Sequence, residues 1–281
     1  MRILIAGCGY VGSVLASRLH GVGDQVFGLR RSASPLPPGV HAVRADLLDP
    51  VSLTDLPRDL DAVVYAVSAD RSDESAYRDA YVRSLENLGR ALSGTVRRLV
   101  FLSSTSVYGT QDGSRVDEND PARPEGFRGR LVLDGESVAR GLAPHSSCLR
   151  LGGIYGPGRT RLVARIARGE LRFEEGPQYT NRIHRDDAAA AAAHILKLAE
   201  PEALYLGVDQ EPADLLEVAR FIAGELGIEA PKAAERPSGA PRGKRCSSDR
   251  LRASGFRFHY PSYREGYPAI VAEYLAATRR A

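Results

Sequence analysis

Short apolar runs alternate with longer segments of helical periodicity along the first 150 residues, and this alternation restricts the fold more than any other feature. Ile3-Leu4-Ile5-Ala6 is a near-continuous apolar run ended by Gly7. From there, apolar side chains fall at Val11, Val14, Leu15 and Leu19, the spacing of one helix face, and Gly21 and Gly23 close that segment. Further runs read as strands at 25–29, 41–45, 62–67, 99–102 and 147–151, with helices predicted over 77–92 and 131–140. Strands without alternating polar positions must be covered on both faces, and strands separated by helices pair in parallel. The predicted architecture is therefore α/β: a doubly wound parallel sheet with helices on both sides.

The second half is less regular. Helices are predicted over 162–167 and 186–198, a strand over 203–208 and a helix opened by Pro212 and running to 226, Pro being suited to a first helical position. Residues 229–245, rich in Pro, Ala, Gly and Arg, read as an exposed loop, and a last helix covers 263–277. This divides the 281 residues into a sheet domain, 1–155, and a smaller C-terminal α/β cap, 156–281, interleaved with it.

Composition excludes several classes. Apolar residues make up 43% and charged residues 26%, ordinary values for a globular chain rather than a disordered or fibrous one. Basic and acidic residues nearly balance at a net charge of +3, and the arginines are dispersed, so no nucleic-acid partner is expected. No apolar run is long enough to span a membrane, and the N-terminus lacks the features of a signal peptide. Three widely spaced cysteines, Cys8, Cys148 and Cys246, give neither a disulfide framework nor a metal motif; a reducing cytoplasm is the expected location.

Gly7-Cys8-Gly9-Tyr10-Val11-Gly12 follows the first strand and opens the first helix, the context that gives G-x-G-x-x-G its meaning. Gly7 permits the tight turn, Gly9 lets a pyrophosphate approach the backbone, and Gly12 lets helix and strand pack closely. The N–H groups of Tyr10, Val11 and Gly12 and the helix dipole favour the diphosphate. This is the dinucleotide-binding element of a Rossmann fold. No acid follows the second strand to hold a ribose 2′-hydroxyl. Arg30, Arg31 and Ser32 stand there instead, and paired guanidiniums suit a 2′-phosphate. The expected coenzyme is NADP rather than NAD. Asp46 and Leu47 after the third strand are placed to meet the adenine, although Asp46 also suits a turn. Ala66, Val67 and Ser68 after the fourth strand are small where a dinucleotide would cross the sheet edge.

Ser103-Ser104-Thr105-Ser106-Val107-Tyr108-Gly109, Leu149-Arg150-Leu151-Gly152-Gly153-Ile154-Tyr155-Gly156-Pro157-Gly158 and Asn181-Arg182-Ile183-His184-Arg185-Asp186-Asp187 occur in that order. With the opening turn, they resemble the extended short-chain dehydrogenases/reductases, the NAD-dependent epimerase/dehydratase family. The resemblance implies an NAD(P)-dependent oxidoreductase or epimerase/dehydratase-type enzyme acting on a small polar, nucleotide-linked substrate. It implies Ser104 at the reacting oxygen, Thr105 and Ser106 near substrate, and a homodimer through helices near 75–92 and 127–142.

One element of that pattern is missing. The family's Tyr-x-x-x-Lys pair falls on Arg128 and Val132, and no lysine occurs before Lys197. An arginine cannot serve as a proton donor at ordinary pH. Either another acid acts, with Tyr108 or a substrate group the candidate and Arg128 or Arg130 an electrostatic helper, or the chemistry needs no protein acid, or the chain is a catalytically silent NADP-binding sensor or scaffold. Tyr108 also suits a structural role, and Ser104 that of a simple cap. Arg159 and Arg182 are candidates to clamp an anionic substrate, or surface arginines. His184 has no partner at metal-ligand spacing and reads as a buried, hydrogen-bonded histidine. Asp186 and Asp187 read as helix caps.

Overall fold

The computed structural model describes residues 1–92, 96–174, 176–234 and 239–279. The chain forms two compact units. Unit 1 comprises residues 1–109, 121–151 and 188–205; unit 2 comprises 110–120, 152–187 and 206–281. Residues 110–120, 152–155 and 188–205 thus lie on the other side of the 155/156 division expected from the sequence.

Unit 1 is built on parallel strands. β1 (Arg2–Ala6), β2 (Gln25–Arg30), β3 (His41–Arg44), β4 (Ala62–Tyr65) and β5 (Arg98–Ser104) pair in a seven-stranded sheet. Its order is Leu204–Gly207, His145–Leu151, β5, β4, β1, β2, β3. Register sets Ala6 beside both Leu29 and Tyr65, and Tyr65 beside Phe101. The residues that follow these strands therefore emerge at one edge, where open α/β sheets bind ligands. Ile3, Leu4, Ile5, Val63, Val64 and Phe101 are fully or almost fully buried, as the absence of polar alternation in these strands requires.

α1 (Tyr10–Gly21) follows the glycine turn. The single helix expected over 77–92 is instead two, α2 (Glu74–Arg78) and α3 (Ser84–Ala91), joined by a π-helical turn at Asp79–Arg83. The reason lies in the core: the buried Tyr65 hydroxyl donates to the Ala80 carbonyl at 2.5 Å, and a side-chain donor inserted into the ladder distorts it. α4 (Phe127–Arg140) starts four residues earlier than its apolar spacing suggests.

Unit 2 corrects three expectations. Pro212 does not open a helix. Ala213–Asp214 pair antiparallel with Tyr179–Thr180, and the helix is Leu215–Leu226, capped by the Asp214 carboxylate on Leu216 N at 3.3 Å. Of the expected loop 229–245, Arg242–Cys246 is a strand, seated between Gln178–Thr180 and Asp112–Val116. Asn181 fastens it, donating to Lys244 O at 2.9 Å and accepting from Cys246 N at 2.7 Å. Residues 235–238 of that loop lie outside the described residues. Asp187 does not cap the helix that begins at Arg185. Its carboxylate accepts from His259 N and Tyr260 N at 2.9 and 2.8 Å, tying a distant loop instead.

Candidate functional site

The β1–α1 turn is shaped by its glycines. Gly7 has φ +92°, and a Cβ there would lie 2.7 Å from the backbone of Ala66 and Val67. A Cβ on Gly12 would lie 2.4 Å from Gly7 O. Both glycines are therefore demanded by the fold. Gly9 is different. A Cβ on it would come no nearer than 4.0 Å to another group of the chain, so its bareness suits an approaching ligand rather than internal packing. No side chain among the described residues caps α1, and its first turn carries no acid. The first-turn N–H groups, which include those of Val11 and Gly12, have no intrahelical acceptor by construction. Cys8 is buried beneath the turn, and burial pushes its thiol pKa up. It is a packing residue, not a nucleophile.

At the end of β2, Arg30 Nη1 donates to the carbonyls of Ser34 and Pro35 at 3.4 and 3.3 Å. Arg31 is exposed, with Nη2 3.4 Å from Asp70 Oδ2. Ser32 Oγ lies 3.1 Å from Ser34 Oγ. Asp46 is a turn residue, its Oδ1 accepting from Leu48 N at 3.0 Å, and the Leu47 carbonyl accepts from Asn87. Ala66 and Val67 are half-buried and Ser68 is exposed at the end of β4.

Beside them, at the end of β5, Ser104 caps the short turn Thr105–Val107, accepting from Ser106 N at 3.1 Å. Accepting that bond leaves its O–H free to donate. Ser106 is exposed and Thr105 buried. α4 runs close to this turn because position 129 is glycine: a Cβ there would meet Ser106 O at 2.4 Å. Arg128 is exposed, lies over the rings of Tyr77 and Phe127, and donates to Ser72 O at 3.4 Å. Val132, where the family pattern has lysine, is 1% exposed.

Beneath Ser104 lies a buried polar network. Glu136 accepts a fork from Arg150, Nε to Oε1 at 2.8 Å and Nη2 to Oε2 at 2.7 Å, and a further bond from Ser103 Oγ at 2.6 Å. Arg150 Nη1 donates to the Tyr108 hydroxyl at 2.6 Å. Tyr108 is 2% exposed. Its oxygen thus accepts from a buried guanidinium inside the protein, which suits the structural role. The network was visible in the sequence only as one charged residue, Arg150, inside an apolar strand.

In unit 2, Arg159 is exposed and donates to Ile154 O at 2.7 Å. Arg182, expected as an anion clamp, is 5% exposed. It donates to Thr180 Oγ1 and lies over the Tyr263 ring, with Asp209 as its charged neighbour. It is a core residue of unit 2 because β-pairing of Arg182–His184 with Gly153–Tyr155 draws it inward. His184 is buried as expected, stacked 3.7 Å from Tyr260, and burial lowers its pKa to about 4.

A parallel sheet whose opening glycine turn presents an uncapped helix start beside the ends of β2, β4 and β5 defines a dinucleotide-binding protein of the doubly wound α/β class. Comparison with known proteins narrows the class. Residues 3–207 match the NAD dependent epimerase/dehydratase family. The chain is 29% identical to protein YeeZ of Escherichia coli strain K12, over 92% of this chain and 96% of that one. A solved structure from Methylobacillus flagellatus, described as an NAD-dependent epimerase/dehydratase, is 38% identical with a TM-score of 0.82, covering 99% of this chain and 98% of that one. MoeE5 in complex with UDP-glucose and NAD is 26% identical with a TM-score of 0.80, covering 100% and 99%. The chain belongs to the NAD-dependent epimerase/dehydratase family.

Proposed function

We propose that this protein is an NADP-dependent oxidoreductase or epimerase/dehydratase-type enzyme acting on a small, polar, nucleotide-linked sugar. The observation that carries the coenzyme reading is the uncapped glycine turn beside Arg30, Arg31 and Ser32. Gly7, Gly9, Tyr10, Val11 and Gly12 would hold the pyrophosphate, and the β2 residues would hold a 2′-phosphate. Asp46, Leu47, Ala66, Val67 and Ser68 would line the path of the dinucleotide. The substrate class rests on similarity: MoeE5 has been solved with UDP-glucose and with UDP-glucuronic acid.

Bound at this edge, the coenzyme supplies or removes a hydride. The chain's own part begins at Ser104, whose O–H orients the reacting oxygen of the substrate, with Thr105 and Ser106 flanking it. The Glu136–Arg150–Tyr108 network holds that turn still. Arg128 contributes positive charge near the developing oxyanion but no proton. The proton therefore travels through the substrate or a water rather than through a tyrosine. Binding without turnover, the alternative raised by the missing pair, is not favoured by a family of epimerases and dehydratases. Arg159 is proposed as a contact for an anionic substrate group. For Arg182 its burial speaks against that role. We also propose a homodimer through the helices near 75–92 and 127–142, and a cytoplasmic location, in keeping with three buried, widely spaced cysteines.

Calorimetric titration with NADPH and NADH tests the coenzyme reading. Wild type binds NADPH more tightly. Charge-assisted hydrogen bonds of about 1.5–3 kcal/mol make Arg30→Asp lower the NADPH-to-NADH affinity ratio roughly ten- to a hundredfold; an unchanged ratio overturns it. On a panel of nucleotide sugars, Ser104→Ala lowers hydride transfer on the order of a hundredfold with coenzyme affinity retained. Transfer unaffected by that change removes Ser104 from the reaction.

A further inference from the structure

The chain leaving β4 passes from the phosphate turn to α2, and it is held at both ends. Ala66 and Val67 pack against the bare Cα of Gly7. Asp73 caps α2, its Oδ1 accepting from Ala76 N at 2.9 Å, while its Oδ2 accepts from Arg71 Nε at 3.0 Å. Ser72 O accepts from Arg128. Between these anchors stands Asp70, its Oδ2 3.4 Å from Arg31 Nη2.

Arg30 and Arg31 therefore differ in kind. Arg30 donates to two backbone carbonyls, which orient its guanidinium without neutralising it. Arg31 faces a carboxylate 39 residues away in sequence. A phosphate arriving at Arg31 must either take the guanidinium from Asp70 or sit within a few ångströms of that carboxylate. A coenzyme with a 2′-hydroxyl makes no such demand, and the pair stays closed.

We propose that Asp70 is a coenzyme-specificity residue, which competes with the 2′-phosphate of NADP for Arg31 and so narrows the preference for NADP over NAD. This rests on the reading that the end of β2 takes a 2′-phosphate. Both side chains are more than half exposed, at 61% and 58%. Water screens their attraction, which keeps the pair weak enough for a phosphate to open.

The test is calorimetric titration of the full chain with NADPH and NADH, in wild type, Asp70→Asn, Arg31→Ala and the double variant. Asp70→Asn removes the charge at constant shape. It is expected to tighten NADPH binding about three- to tenfold at low salt, with the gain shrinking as salt is added. NADH affinity changes less than about twofold, on the same screening grounds. In the Arg31→Ala background the gain disappears, because there is no guanidinium left to contest.

Four results overturn the proposal. Unchanged NADPH affinity in Asp70→Asn, with Arg30→Asp still shifting the coenzyme ratio, sinks this inference alone. A loss of NADH affinity instead makes Asp70 an acceptor for the ribose hydroxyl. An undiminished gain in the Arg31→Ala background shows bulk repulsion, not competition. Wild type that binds neither coenzyme overturns the underlying coenzyme reading and this proposal with it.

Discussion

Arg150 interrupts an apolar strand with a full charge, and its meaning appears only when its partners do. Its guanidinium is 3% exposed and forks onto Glu136, which is fully buried. Removing Arg150 leaves the buried Glu136 carboxylate with the Ser103 hydroxyl and the half-exposed Arg140, 3.4 Å from Oε2, in place of a buried fork, at a cost approaching about 3–5 kcal/mol. Arg150→Met is therefore expected to lower the urea midpoint severely. Replacing both Arg150 and Glu136 by methionine recovers much of the loss, since no lone charge remains. A double variant as unstable as the single one would show that the network contributes more than paired charge.

Asp209 is the second residue whose behaviour follows from burial. Its Oδ1 accepts from Glu211 N at 3.3 Å, and its Oδ2 has no hydrogen-bond partner among the described residues. Burial pushes its carboxyl up to about 8, opposed by Arg182 and assisted by Glu211 and Glu265. The folded state holds this proton, whereas an unfolded chain releases it near pH ~4. The associated stability is complete below that value and lost as pH rises through about 8. Asp209→Asn keeps a neutral group of the same shape. Between about pH 5 and about pH 8.5 the wild-type denaturation midpoint falls more than that of the variant; equal falls refute the assignment.

Among elements, α1 and its turn were legible because the residues that define them run consecutively from Gly7 to Gly21. The helix expected over 77–92 was legible only in outline. Its π-helical turn arises from Tyr65, a residue on β4, whose hydroxyl takes the Ala80 carbonyl. Tyr65→Phe deletes that donor and keeps the ring. It is expected to cost about 1 kcal/mol and to change amide exchange at residues 79–84 while leaving that of α1 intact; unchanged exchange at 79–84 would mean that the turn is set by packing alone. The strand Arg242–Cys246 was unreadable for a related reason. Its glycine, lysine and arginines carry no strand pattern, and its pairing with Asp112–Val116 joins segments more than a hundred residues apart.

For the whole molecule, the expected homodimer has a direct readout. Sedimentation at micromolar concentration should give twice the chain mass of 30.4 kDa, and charge substitutions on the exposed faces of α3 and α4 should return it to one chain mass. Among the described residues no helix is long and apolar enough to cross a membrane.

The doubly wound sheet, the phosphate turn and the choice of candidate coenzyme residues were determined by the sequence. Each depends on local rules: apolar runs, helical spacing, and glycines where backbone must bend or be approached. Which charges are spent inside the protein was decided only by the tertiary structure. Arg150 and Arg182 are buried, Arg31 is faced by Asp70, and Tyr108 is occupied by a guanidinium. An ionic or hydrogen-bonded partner is fixed by distance in space, and a chain folded across many strands sets that distance without recording it in residue spacing.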